Sequence, residues 1–315
     1  MVLQVRPLLL CSFALFSLCV STALTAAELP KPASVETVKL LEVDTYCEGV
    51  VFDHSGHGYV SHGDKITRFN INGESEVWAE LGAPNGHKVL ADGTHLVCDG
   101  KLHAVLHLDA NGKVLSKASA ECDGTALRGP NDLTLDPQGG FYFTDPGGSD
   151  DKKLIGTVHY VDPAGKTHLI DDGLAFPNGI VLTPDRKTLY VGESKKIECL
   201  NMKSKKPVKW ESELSLPIFQ KAGEQIDNQP DGMCLDADGN LYVAHFGMQQ
   251  VQVLNPEGEL IARYDGGNIT TSNVAFSGPD WSTLYITGGL RSGKGGLFKI
   301  DLGVKGLVIL PPKAE

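Results

Sequence analysis

Six short segments of this sequence set a polar side chain in an equivalent context. They are Glu48 in Glu-Gly, Asn85 in Pro-Asn-Gly, Asn131 in Pro-Asn-Asp, Asn178 in Pro-Asn-Gly, Asp231 in Pro-Asp-Gly and Asn273 in Ser-Asn-Val. Their carboxylates and amide carbonyls are oxygen donors. Gathered around one axis, such groups suit a hard divalent cation, calcium or magnesium, whereas zinc prefers histidine or cysteine. Carboxylates drawn together away from water also need a counter-charge. Each Pro-Asn-Gly is equally a turn sequence, with proline presetting φ and Asn or Gly taking the left-handed position. The recurrence argues for a site, as does Glu48, which is not a turn residue and has no proline before it.

Fourteen or fifteen residues beyond most of these positions stands a second polar set: His62, Asp99, Asp145, Glu193 and His245, with Gly288 in the sixth place. These residues bring acids and bases to the same rim. Asp145 and His245 are candidates to bind substrate or to serve as reserve bases, His245 because it ends the hairpin that begins at Asp231. No Gly-x-Ser-x-Gly nucleophile elbow, phosphate-binding glycine loop or EF-hand loop is present.

The elements that must position these residues are strands. A Tyr-Val-like core recurs at Tyr59-Val60, Leu96-Val97, Tyr142-Phe143, Tyr190-Val191, Tyr242-Val243 and Tyr285-Ile286, each after a turn rich in Asp, Gly or Pro. Two apolar runs around such a turn read as a hairpin, and two more strand-like runs follow each one. Four strands per unit, repeated six times, predict an all-β fold: a six-bladed β-propeller with four antiparallel strands per blade. Radial stacking buries sheet faces that no single unit could bury. In such a ring the first strand of each unit lines the channel, so the six polar positions face one another. One strand is in surplus: Thr37 to Val43 and Leu307 to Leu310 compete for the outer edge of the last blade.

The net charge of −11 over 315 residues argues against nucleic acid as a partner, since that affinity comes from neutralising phosphates. Arg6, the apolar run from Leu8 to Val20 and the small residues through Ala27 follow the order of a secretory signal. Residues 1–27 are therefore expected to direct export to the periplasm or beyond, leaving 28–315 as one propeller domain with no membrane attachment. That mature chain keeps five cysteines, Cys47, Cys98, Cys122, Cys199 and Cys234, with no zinc or redox spacing. They read as small core residues, with one disulfide as the alternative. Asn268-Ile269-Thr270 matches a glycosylation acceptor.

Several of these segments together resemble the signature of the senescence-marker-protein/gluconolactonase family: Glu48-Gly49, Gly129 to Leu133 with Tyr142 to Pro146, Phe176 to Ile180, Gln229 to Met233, and Asn273 to Phe276. The resemblance covers nearly all of the mature chain. It implies a hydrolase that opens a small lactone with one divalent cation, most often calcium, held by Glu48, Asn178 and Asp231. Asn131 would contact substrate or cation, and Asp231 would be the general base. Alternatives on the same fold are an arylesterase and an exported propeller that binds a ligand or protein without chemistry. Animal members of the family carry a sugar-binding arginine two residues before the Asn131 equivalent; here that residue is Gly129, with Arg128 beside it.

Overall fold

The computed structural model describes residues 28–193, 196–201, 206–213 and 229–314. The fold is an all-β propeller. Its strands pair into six four-stranded antiparallel sheets and one two-stranded ribbon, Glu121–Cys122 with Thr125–Ala126. The first strands of the sheets are Cys47–Phe52, Pro84–Val89, Leu133–Leu135, Ile180–Leu182, Gln229–Leu235 and Thr270–Ser277. Each of these contacts the first strand of the next sheet, and the last contacts the first. The ring is closed.

Burial follows from that arrangement. The second strands Gly58–His62, His95–Asp99 and Phe141–Asp145 are buried at every position, because a neighbouring sheet covers each face. Fourth strands such as Ser75–Glu80 are mostly exposed. The core is accordingly divided among the gaps between sheets. Tyr59, Ile66, Val97 and Leu106 join the first two sheets. Val50, Phe52, Tyr285 and Leu297 join the sixth to the first.

The competition for the last outer edge is resolved in favour of Thr37–Val43, which pairs antiparallel with Gly295–Asp301. The sixth sheet is thus completed by a strand from before the first, so the two ends of the chain are fastened together. The Leu307 to Leu310 segment forms no fourth strand. It is followed by Pro311-Pro312, which offers no backbone N–H to a ladder. Instead it crosses the end of the ring opposite the polar rim. The Leu307 amide donates to the Leu235 carbonyl, and the Ala314 amide to that of Ala91. The Pro311 carbonyl lies 2.7 Å from His54 Nε2. The tail therefore bridges the fifth, first and second sheets and covers that mouth.

The Asp-rich hairpin turns have a direct cause. Asp53, Asp109, Asp162 and Asp236 each accept backbone N–H groups two and four residues on, closing the turn with a side chain. Cys47, Cys98, Cys122 and Cys234 are free thiols; the side chain of Cys199 lies outside the described residues. Asn268 is only 1% exposed, so it is not presented as a glycosylation acceptor.

Candidate functional site

The polar positions of the first strands sit at irregularities in their sheets. Register shifts separate Cys47 from Val50, Pro84 from His87, Pro230 from Met233 and Thr271 from Asn273. Each shift falls at the polar residue or beside it. An extra residue in a strand bends it and re-aims its side chains, which is why bulges collect at rims and sites. In the third and fourth sheets, regular pairing starts only after the polar residue. There the Asn131 amide donates to the Thr144 carbonyl, and the Asn178 amide to that of Gly192.

The glycines that follow are not turn residues here, since Gly49, Gly86, Gly179 and Gly232 do not occupy the left-handed region. They permit close approach between neighbouring sheets. A Cβ on Gly179 would overlap the Asp231 carbonyl oxygen and come within 2.8 Å of Gly232 Cα. One on Gly232 would overlap the Asn273 side chain, and one on Gly86 the Asp132 carboxylate. Gly179→Ala is expected to cost about 1–3 kcal/mol by overpacking, read as a lowered urea midpoint, with Asp231 displaced as the strand moves.

Around the axis this brings Glu48, Asn178 and Asp231 into mutual contact or influence. Asp231 and Asn178 are 3% and 5% exposed, while Glu48 and Asn131 keep part of their surface open. The Asn178 amide donates to the Asp231 carboxylate. Burial raises Asp231 well above the usual carboxylate range, helped by the charges of Glu48 and Asp132. Glu48 is pushed up to about 8, first by burial and then by Asp132, against a hydrogen bond from Tyr46 that stabilises its charge. A buried and a half-buried carboxyl group that resist ionising beside each other form a site that a cation would relieve. Among the described residues, no three His, Cys, Asp or Glu side chains converge as metal donors. A cation here would therefore rest on two carboxylates and amide oxygens.

The second polar set has a different role from the first. Asp145, 1% exposed, accepts the Arg128 amide at 2.8 Å and the Gly129 amide at 2.7 Å, so both carboxylate oxygens shape the loop that leads into Asn131. Asp99 does the same for Gly82 and Ala83, and Glu193 for Ala175. These acids position the rim. His245 is fully buried, and burial pushes its imidazole down to about 4. The Arg128 guanidinium turns to the Ile155 carbonyl at 2.8 Å. There it lines a cavity of about 510 Å³, together with Cys122, Asp145, Leu154, His159 and Leu169. None of Glu48, Asn178 or Asp231 lines that cavity. The converging carboxylates, rather than cavity size, identify the chemistry.

Four residues at this centre escape a reading by repeats. Tyr46 lies outside the aligned position, yet it hydrogen-bonds Glu48 and Ser272. Asp132 stands where four of the six units have glycine, a signal visible in Pro-Asn-Asp against Pro-Asn-Gly. Ser272 and Thr287 donate to the carbonyls of Cys47 and Glu48, each at 2.6 Å, tying the last sheet to the first beside the site.

The sequence profile of the SMP-30/Gluconolactonase/LRE-like region matches residues 49–289. The chain belongs to this family. The gluconolactonase of Zymomonas mobilis is 31% identical over 224 residues, spanning 64% of this chain and 60% of that protein. The lactonase drp35 of Staphylococcus saprophyticus is 29% identical over 248 residues, 75% of this chain and 74% of that one. Among solved structures, a Xanthomonas campestris gluconolactonase superimposes with a TM-score of 0.72 at 24% identity, covering 86% of this chain and 91% of that one. The calcium-binding protein regucalcin of Agrobacterium tumefaciens does so at 0.67 and 21%, covering 88% and 95%. These two structures support the fold.

Proposed function

We propose that this family member is a lactone hydrolase whose centre is the Glu48–Asn178–Asp231 cluster at one mouth of a six-bladed ring. The observation that carries the reading is the meeting at one mouth of the buried Asp231 carboxylate, the Asn178 amide bonded to it and the half-buried Glu48 carboxylate, whose charge acts on Asp231. Relatives named gluconolactonase and lactonase support the reaction class.

The oxygen-rich donor set fits a hard divalent cation, with calcium first, held by Glu48, Asn178 and Asp231. Bound there, the cation supplies Lewis-acid polarisation of the lactone carbonyl. The chain's own residues do the rest. Asn131, partly open on the rim, offers its amide to the substrate and to the oxygen that gains charge. Asp231 takes the proton of the attacking water through the carboxylate oxygen that does not hold the cation, and later returns it to the departing alkoxide. Tyr46 fixes Glu48, and Asp145 holds the loop that carries Asn131. With Gly129 in place of an arginine and Arg128 bonded to Ile155, the rim is not built to grip a sugar acid by that route. Residues 1–27 would deliver the enzyme across a membrane, so the exported protein should begin near Glu28.

The test is hydrolysis of a panel of lactones and simple esters, followed by proton release. Turnover of at least one lactone is expected to fall at least about 100-fold on chelation and to return with calcium. Turnover of aryl esters alone would move the assignment to an arylesterase. No turnover despite bound calcium would leave a binding propeller.

A further inference from the structure

Lys88 lies on the first strand of the second sheet, three residues beyond Asn85 and further into the channel. Its side chain is only 16% exposed, and its ammonium is 4.0 Å from Asp132 Oδ1. Asp132 is itself 2% exposed and gathers several strands onto one carboxylate. It accepts the Leu133 amide at 2.8 Å, the Ile180 amide of the fourth sheet and the side-chain amide of Asn273 on the sixth. Asn273 is held in turn by the Val274 amide on its Oδ1 at 2.9 Å. The second, third, fourth and sixth sheets thus meet in one polar layer. That layer abuts the site, because the Asn273 side chain packs against Gly232, the residue after Asp231, where a Cβ would overlap it.

We propose that Lys88, through its pairing with Asp132, sets the charge of the cation site and thereby its preference for a divalent ion. With an ion bound and all three carboxylates ionised, Glu48, Asp231 and Asp132 stand against one ammonium, and the two net negative charges are what a divalent cation neutralises. Lys88 touches neither ion nor substrate; it is a specificity-determining residue that acts through the field. In a channel flanked by packed strands, that field is screened far less than at an open surface. The inference rests on the reading of Glu48, Asn178 and Asp231 as a cation site.

A field effect has a signature that a packing effect lacks: its free energy scales with the charge of the ion. The experiment measures calcium affinity by calorimetry and terbium(III) affinity by luminescence, on the full mature chain. Lys88→Met is expected to tighten calcium about tenfold and terbium about thirtyfold, logarithmic changes in the ratio two to three. Asp132→Asn should weaken both ions in the same ratio. The double variant Lys88→Met/Asp132→Asn removes one charge of each sign. It should return calcium affinity to within about threefold of the wild type, as should Lys88→Arg, which keeps the charge. If Lys88→Met alone fails to fold, Asp132→Asn and the double variant still carry the test. Equal logarithmic changes for the two ions, or unchanged affinity in either single variant, overturns the role of Lys88 while leaving the cation site standing. A wild-type chain that binds neither ion overturns both.

Discussion

Asp231→Asn is expected to lower kcat/KM by at least about 1,000-fold and to weaken calcium binding at least about tenfold, while making the metal-free protein more stable. The first effect follows from removing the proton acceptor, since a positioned base contributes about 100- to 10,000-fold. The second follows from losing one of two carboxylate donors. The third distinguishes this site from an ordinary buried acid. Asp231 is raised by its own burial and by the charges of Glu48 and Asp132, so the amide replaces a group that the metal-free fold disfavours in its charged form. Strained functional sites characteristically gain stability as they lose activity. Steady-state kinetics, calorimetric titration and thermal unfolding in chelator check the three effects on one preparation. Full activity in the variant would remove Asp231 from the role of base. A marked loss of stability in chelator would make it a structural residue.

The strands were legible because their signals are local. Recurring apolar runs and the Asp-, Gly- or Pro-rich turns between them fix the hairpins, and the side-chain caps seen at Asp53, Asp109, Asp162 and Asp236 are what such turns encode. The polar ring was legible because the repeats align on it. What lay beyond reach depends on contacts between units. Asp145, Asp99 and Glu193 look like rim acids in sequence. Their partners are backbone amides 16 to 18 residues upstream, and a backbone amide leaves no trace in residue type. The glycines after Asn178 and Asp231 look like turn glycines. Their necessity appears only when the next sheet's strand is laid against them. The edge that closes the ring was open because both chain ends carry an apolar run; the run at Leu307 to Leu310 is instead drawn across the ring by its amide bond to Leu235 and by the prolines that follow it. Lys88 and Tyr46 fall outside the repeated position, although each acts on the same carboxylates directly or through Asp132.

The alkaline limb of the pH dependence of stability should disappear when calcium is added, because two sets of buried groups oppose each other. Glu48 is raised in the folded chain to about 8 from its ordinary value of about 4.5. Its neutral form is favoured by folding, so its stabilising contribution is complete below pH 4.5 and is lost as pH rises through about 8. Asp231 acts in the same direction. The buried histidines act in the other. His95 and His245 are pushed down to about 4, first by burial, and His87, 2.8 Å from His95, is also lowered well below its ordinary value, first by burial. Folding favours their neutral form, so that contribution is present above pH 6.5 and is lost as pH falls toward 4. In chelator the Tm is therefore expected to peak between about pH 5 and 6.5 and to fall by about 5–10 °C on approaching pH 8, given a few kcal/mol of linked proton uptake. With calcium in excess, the carboxylates are ligands and their ionised form is the stabilised one, so the alkaline decline should vanish while the acid limb set by the histidines stays. Thermal unfolding across pH 4–9, with chelator and with calcium, separates the two sets. An alkaline decline of equal depth in both series would mean that the Glu48–Asp231 pair is not where the cation binds, and an acid limb that moved with calcium would mean that the histidines are coupled to the site after all.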